Sequence, residues 1–171
     1  HRIETDAFTN CDMLTEVTIN EGVSNIDSYA FGYCDALETL NLPNLAYFIA
    51  SDAFGDCKIK YITVGHELLG IIPKNDVTKL TLSSSNETLT YPFSLFPKLQ
   101  SVVLPEGITT INRDTFNNCQ YLVNVNIPNS VNVIADGAFD NSPLLNLYEH
   151  ENGYYLGNED NPYLVWVKVK D

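Results

Sequence analysis

Three of the four cysteines in this sequence stand behind similar short stretches: "AFTNC" at 7–11, "AFGYC" at 30–34 and "AFGDC" at 53–57. Cys11, Cys34 and Cys57 are thus 23 residues apart, as are Phe8, Phe31 and Phe54. A row of matched thiols can bind zinc, link neighbouring segments by disulfides, or fill space as small buried hydrophobes. Zinc sites of the Cys-x-x-Cys type gather their ligands within one loop. Here the interval is 23, no histidine keeps register, and Cys119 lies beyond a break in the pattern. Phe96 and Ser142 occupy the position that is cysteine elsewhere, and a metal ligand does not tolerate phenylalanine. The expectation is three or four free thiols with a packing role, and no metal or cofactor.

Two other residue sets invite chemistry. Asp6, Asp27, Asp52, Asp114 and Asp136 fall shortly before the aromatic of each unit. A calcium ladder needs several oxygens held in tight register, and this register wanders. The same aspartates suit turns and the start of a short helix, where a side-chain oxygen accepts from exposed backbone N–H groups. His1, His66 and His150 are scattered, and none sits beside a cysteine or serine in a catalytic motif. A glycan-active enzyme would need paired carboxylates in a cleft; none is legible, and the chain reads as non-catalytic.

The elements that must position these residues are set by the repeat. Phe93, Phe116 and Phe139 form a second series with the same 23-residue spacing, separated from the first by 39 residues. Five residues before the aromatic stands Ile3, Ile26, Ile49, Ile111 or Ile134, and six after it Leu14, Leu37, Leu99, Leu122 or Leu145. Ile59 takes the leucine position in the third unit, which is one residue short. An alternating apolar pair follows: Val17/Ile19, Leu40/Leu42, Ile62/Val64, Leu80/Leu82, Val102/Leu104, Val125/Ile127. Such alternation is a strand with one buried face. Ala, Phe, Cys and Leu at near-helical offsets suggest a short helical turn. One unit cannot bury its own apolar face, so the units must stack as a solenoid with strands about 4.8 Å apart.

The solenoid is expected over 1–149 as one continuous body, with an irregular shortened rung at about 65–92 where "GHELLGIIPKND" replaces a full segment. Residues 150–171 leave the pattern. "YYL" and "YLVWVKV" flank the turn-rich "GNEDNP", which reads as a C-terminal β-hairpin or cap. Tyr148, Tyr154, Tyr155, Tyr163 and Trp166 cluster in sequence there.

Composition narrows the partners. With 22 acidic against 9 basic residues the net charge is −13, which opposes nucleic acid and anionic lipid in the absence of a basic patch. No apolar run is long enough to span a membrane. The first residues enter in mid-pattern, so the chain is expected to be a piece of a longer protein.

The units "IETDAFTNCDMLTEVTI", "IDSYAFGYCDALETLNLP" and "INRDTFNNCQYLVNVNIP" resemble the BspA-like leucine-rich repeats of surface proteins in gut and oral bacteria. The resemblance implies a leucine-rich-repeat solenoid in a secreted or surface-anchored protein, with adhesion or host-protein binding as its task. The combined expectation is a β-rich, right-handed solenoid with parallel strands, short helical turns on the convex side and about six to seven rungs.

Alternation assigns a second face to the strands. It carries Glu16/Thr18, Thr39/Asn41, Tyr61/Thr63, Lys79/Thr81, Ser101/Val103 and Asn124/Asn126, a nearly uncharged strip of hydroxyls and amides with Tyr61 above it. Repeat proteins bind through such extended faces, so this strip is the candidate site for a protein or glycan ligand, on a chain expected to be monomeric. Thr and Asn also suit a merely solvated sheet face, and the alternative role is a spacer with no ligand of its own.

Overall fold

A computed structural model describes residues 1–42, 48–151 and 153–169. The residues group into two compact units, His1–Ser84 and Ser85–Asp171, each built of stacked solenoid rungs with parallel strands.

In the first unit the strands are β1 (Arg2–Ile3), β2 (Glu16–Thr18), β3 (Asn25–Ile26), β4 (Thr39–Asn41), β5 (Phe48–Ile49), β6 (Tyr61–Gly65) and β7 (Lys79–Ser84). Two parallel sheets result. β1, β3 and β5 pair side by side, with Ile3, Ile26 and Ile49 in one register row. β2, β4, β6 and β7 pair in that order, with Val17, Leu40, Ile62 and Leu80 in another. Three rungs thus contribute two short strands each and the shortened rung contributes β7 alone; Ile26 and Ile49 of the first sheet and Val17, Leu40, Ile62 and Leu80 of the second are buried. The second unit repeats the plan with β8 (Thr88–Leu89), β9 (Ser101–Val103), β10 (Thr110–Ile111), β11 (Asn124–Asn126) and β12 (Val133–Ile134). β8, β10 and β12 form one parallel sheet, and β9 pairs with β11.

Between the two strands of each rung lies the Phe-containing stretch. The rings form a column: Phe8 to Phe31 is 5.1 Å and Phe31 to Phe54 is 5.3 Å between centroids, both nearly parallel. In the second unit Phe93 to Phe116 is 4.7 Å and Phe116 to Phe139 is 4.9 Å. The ring spacing follows the strand spacing of about 4.8 Å. That is why the same residue type recurs at the same offset.

The stretch itself differs from the expected helical turn. A 3-10 turn forms at Phe93–Leu95, but around the other aromatics the backbone makes successive non-helical turns. Left-handed residues stand two before and two after the aromatic: Asp6 and Asn10, Tyr29 and Tyr33, Asp114 and Asn118, Gly137 and Asn141. The physical reason lies in the backbone hydrogen bonds. Asp6, Phe8 and Asn10 donate their N–H groups to Ser28, Ala30 and Gly32 of the next rung at 2.8–3.3 Å. Phe31 and Tyr33 do the same to Ala53 and Gly55. A helix would turn those groups onto its own carbonyls and leave the stack unbonded. Asp and Asn adopt the left-handed region more readily than other non-glycine residues, so the aspartates at 6 and 114 are turn residues, not helix caps. Asp27 instead accepts two bonds from the Arg2 guanidinium, at 2.6 and 3.1 Å.

One core position also differs. Leu145 is 78% exposed, and Leu144 is buried in its place. The last unit is one residue short, as the third is, where Ile59 is buried as expected. In the irregular segment, a register shift at Val64/Gly65 leads into a 3-10 turn at His66–Leu68, which buries Leu68 and Leu69 on the way to β7.

The C-terminal stretch contains three antiparallel strands: β13 (Tyr148–His150), β14 (Gly153–Leu156) and β15 (Val165–Val169), in the order β13-β14-β15. The β14–β15 connection is the "GNEDNP" turn, tightened because Gly157 approaches the Asn161 backbone. A Cβ at Gly157 would lie 2.1 Å from the Asn161 carbonyl oxygen. The Trp166 side chain and most of the "LPNL" turn fall outside the described residues.

Candidate functional site

The spacing of the thiols suggested chemistry. All four are free. Cys34 Sγ lies 3.2 Å from the Phe8 carbonyl oxygen and Cys57 Sγ 3.0 Å from that of Phe31, each one rung back. Ser142 Oγ makes the same contact with the Phe116 carbonyl at 2.6 Å. The cysteine position is therefore both a packing slot and a donor that satisfies a carbonyl of the preceding aromatic turn. Sequence reasoning missed this second role, although serine at 142 was its signal: Ser and Cys share a donor that Ala or Val lacks.

Burial opposes ionisation of these groups. The Cys34 thiol is pushed up, Cys57 to about 11 and Cys119 to about 12. Since the folded chain holds these protons more tightly than the unfolded chain, the stabilisation is complete below about pH 8.5, where an unfolded thiol begins to ionise. It is lost as pH rises through the folded values. We expect the midpoint of urea unfolding to fall between pH 9 and 11 beyond the change seen in a chain whose four cysteines are replaced by serine. Iodoacetamide at pH 8 should modify half-buried Cys11 well before Cys34 and Cys119. Equal rates for all four, by mass spectrometry, would contradict the packing assignment.

Among the described residues no group of three His, Cys, Asp or Glu side chains is arranged to hold a metal ion. His66 Nδ1 lies 3.2 Å from Glu67 Oε1, and the His150 ring packs at 4.9 Å from Tyr163 and 6.5 Å from Tyr155. Tyr155 and Tyr163 meet edge to face at 5.3 Å, while Tyr148 is exposed. This aromatic group belongs to the antiparallel C-terminal strands and, through Tyr163, to the connection between β14 and β15.

The strand face is laid out as alternation requires. In the first unit Glu16, Thr39, Tyr61 and Lys79 form one register row, and Thr18, Asn41, Thr63 and Thr81 the next. All eight are exposed or half-buried, while the residues between them, Val17, Leu40, Ile62 and Leu80, are buried. Asn41 Nδ2 donates to Glu16 Oε1 at 2.9 Å and to Thr18 Oγ1 at 3.2 Å, which tethers the β2 end of the strip. At the other end Thr39, Asn41, Tyr61, Thr63, Lys79 and Thr81, over the Ile62 backbone position, line an open depression of about 250 Å³. Tyr61 is 44% exposed at its edge.

In the second unit Ser101 pairs with Asn124 and Val103 with Asn126. Here the amides serve the fold. Asn126 Oδ1 accepts from the Leu104 N–H at 2.6 Å, and its Nδ2 donates to the Leu104 carbonyl. Asn146, which sequence reasoning did not single out, bonds both backbone groups of Val125, donating to its carbonyl at 2.6 Å. It acts as a one-residue strand that satisfies the edge of β11. Asn126 is thus occupied in a way that Thr63 and Thr81 are not.

A model of the BspA type leucine rich repeat region matches residues 1–89 and 86–159, in six copies. The chain belongs to this family. The 23-residue unit of phenylalanine column, donor slot and paired strands is its repeat in structural form. A crystal structure of a leucine rich cell surface protein from Faecalibacterium prausnitzii A2-165 is similar at 29% identity over 78% of this chain and 31% of that one, with a TM-score of 0.39. This BspA-type chain therefore spans about a third of that protein. No curated protein matches it.

Proposed function

We propose that the chain is a non-catalytic recognition module of a secreted or surface-anchored bacterial protein. It attaches to a protein or glycan through the strand face of its first unit. The observation that carries this reading is the depression of about 250 Å³ formed by six of the strip's own residues. Their side chains are held by a buried sheet, so little ordering is required on binding. Membership of a repeat family found in surface proteins supports the extracellular setting.

The test is attachment of Thr63→Glu/Thr81→Glu against the unaltered chain, on arrays of glycans and matrix proteins. The double variant should lose retention, while its unfolding free energy falls by no more than about 1 kcal/mol, the size of two like charges set opposite each other across a strand pair. If the unaltered chain retains nothing on any surface, or the variant is retained equally, the face is a spacer's solvated sheet instead.

A further inference from the structure

We propose that the first-unit depression takes a sugar bearing a carboxylate, with Tyr61 as the stacking platform and Lys79 as the carboxylate's partner. The proposal rests on the strand-face reading and narrows its ligand. Three observations lead to it.

The first is the kind of surface. Around Tyr61 stand Thr39, Thr63 and Thr81 hydroxyls and the Asn41 amide, with no second apolar side chain projecting among them. A protein partner is usually anchored by large apolar or aromatic groups entering desolvated pockets, and this shallow open floor has none. A pyranose ring needs the opposite arrangement. Its C–H face packs on the electron-rich face of one aromatic ring, and its hydroxyls exchange hydrogen bonds with hydroxyls and amides at the rim.

The second is register. Lys79 is the direct neighbour of Tyr61 across the β6–β7 pair, and Thr39 is its neighbour on the other side across β4–β6. Adjacent strands lie about 4.8 Å apart, so an ammonium beside the ring reaches a substituent on a sugar stacked there. Thr81, two residues on along β7, is the direct neighbour of Thr63 across the same pair.

The third is charge. The chain carries −13 overall, yet Lys79 is the one cation among the strip's outward residues and pairs with none of the described carboxylates. Lys60, one residue before β6, is by contrast neutralised by Glu38. The strip's carboxylate, Glu16, is at the far end and held by Asn41. A lysine paired with none of the described carboxylates, beside an aromatic ring in an acidic molecule, favours an anionic substituent over a neutral one. Elsewhere the surface repels polyanions, so selection is confined to a single carboxylate at this spot.

Carboxylated sugars come from two sources, sialic acids of animal glycans and uronic acids of plant and matrix polysaccharides. Binding of the full chain to sialyllactose, to a galacturonate oligomer and to lactose, measured by calorimetry with Lys79→Gln, Tyr61→Ala and the turn-side control Lys58→Gln, separates them. At least one carboxylated probe should bind more tightly than lactose. Lys79→Gln should weaken that probe about three- to fivefold, the size of one exposed ion pair, and abolish the preference over lactose. Tyr61→Ala should weaken both classes roughly tenfold, and Lys58→Gln should change nothing. Half-molar salt should reproduce the effect of Lys79→Gln. The acidic-sugar assignment is overturned if no probe binds, if lactose binds as well as the acids, or if Lys79→Gln is silent. The strand-face reading survives those results if Thr63→Glu/Thr81→Glu still abolishes retention of a protein or neutral glycan, and fails if it does not.

Discussion

Replacing Phe116 with alanine is expected to lower the unfolding free energy by about 3–5 kcal/mol, the range for deleting a buried phenylalanine. Phe116 is fully buried and sits in the middle of its column, 4.7 Å from Phe93 and 4.9 Å from Phe139. The cavity left behind opens onto both neighbours, and neither ring can close it because each is tied to its own rung. The Phe116 N–H bonds the Ala138 carbonyl and its carbonyl accepts from Ser142. Leucine at 116 restores most of the apolar volume but not the stacked pair, so about 1–1.5 kcal/mol should remain lost. Phe8 provides the comparison. It heads its column at 46% exposure with one stacking partner, and Phe8→Ala should cost about 1 kcal/mol or less in urea titration. Equal losses at 8 and 116 would mean that the column is not the unit of stability.

The column was readable because each rung presents the same slot to its neighbour, and selection for one shape leaves a period. The same logic explains where reading failed. In the third unit the missing residue was legible, since Ile59 is flanked by two lysines and no other apolar residue competes for the slot. In the last unit Leu144 and Leu145 stand side by side, and counting from Phe139 picks the wrong one. The helical offsets of Ala, Phe, Cys and Leu suggested a helical turn, because they describe which side chains point inward and not how the backbone gets there. The informative residues were those two places either side of the ring: Asp6, Asn10, Asp114, Asn118 and Asn141 mark left-handed positions. Tyr29 and Tyr33 break that composition, and Gly32 and Gly55 accompany them, since a Cβ at either would meet the Tyr29 side chain within 2.8 Å. The outward strip was legible from alternation alone. The engagement of Asn126 with Leu104 was not, because it is made on one rung and its register partner, Val103, has no side-chain amide to repeat it, so it leaves no periodic trace.

Asn158 is the strongest instance of such an untraced bond, and its loss is the second large effect expected. The residue is 3% exposed in the "GNEDNP" turn. Its Nδ2 donates to the Pro128 and Val131 carbonyls, both at 3.0 Å, and its Oδ1 accepts from the Asn161 N–H at 2.7 Å. One amide therefore satisfies three backbone groups and ties the turn between β14 and β15 to the turn after β11. Alanine leaves the Val131 carbonyl and the Asn161 N–H without that partner, while the Pro128 carbonyl keeps its bond from the Val131 N–H at 3.0 Å. At about 1–3 kcal/mol for each buried unsatisfied group, discounted for water entering the space left, the expected cost is about 2–4 kcal/mol. Aspartate separates bonding from shape. It retains the acceptor for Asn161 but turns an anionic oxygen toward two carbonyls, so at neutral pH it should be worse than alanine. Acid should partly restore it, because a protonated carboxyl can donate one of the two lost bonds. Asn161→Ala removes only a 3.3 Å contact to the Tyr163 N–H at an exposed site and should cost no more than about 0.5–1 kcal/mol. Hydrogen exchange locates the damage: amides of β13, β14 and β15 should lose protection in Asn158→Ala while those of β2, β4 and β6 keep theirs. Uniform loss across both sets, or an aspartate variant as stable as the unaltered chain at pH 7, would show that Asn158 does not hold the C-terminal strands in this way.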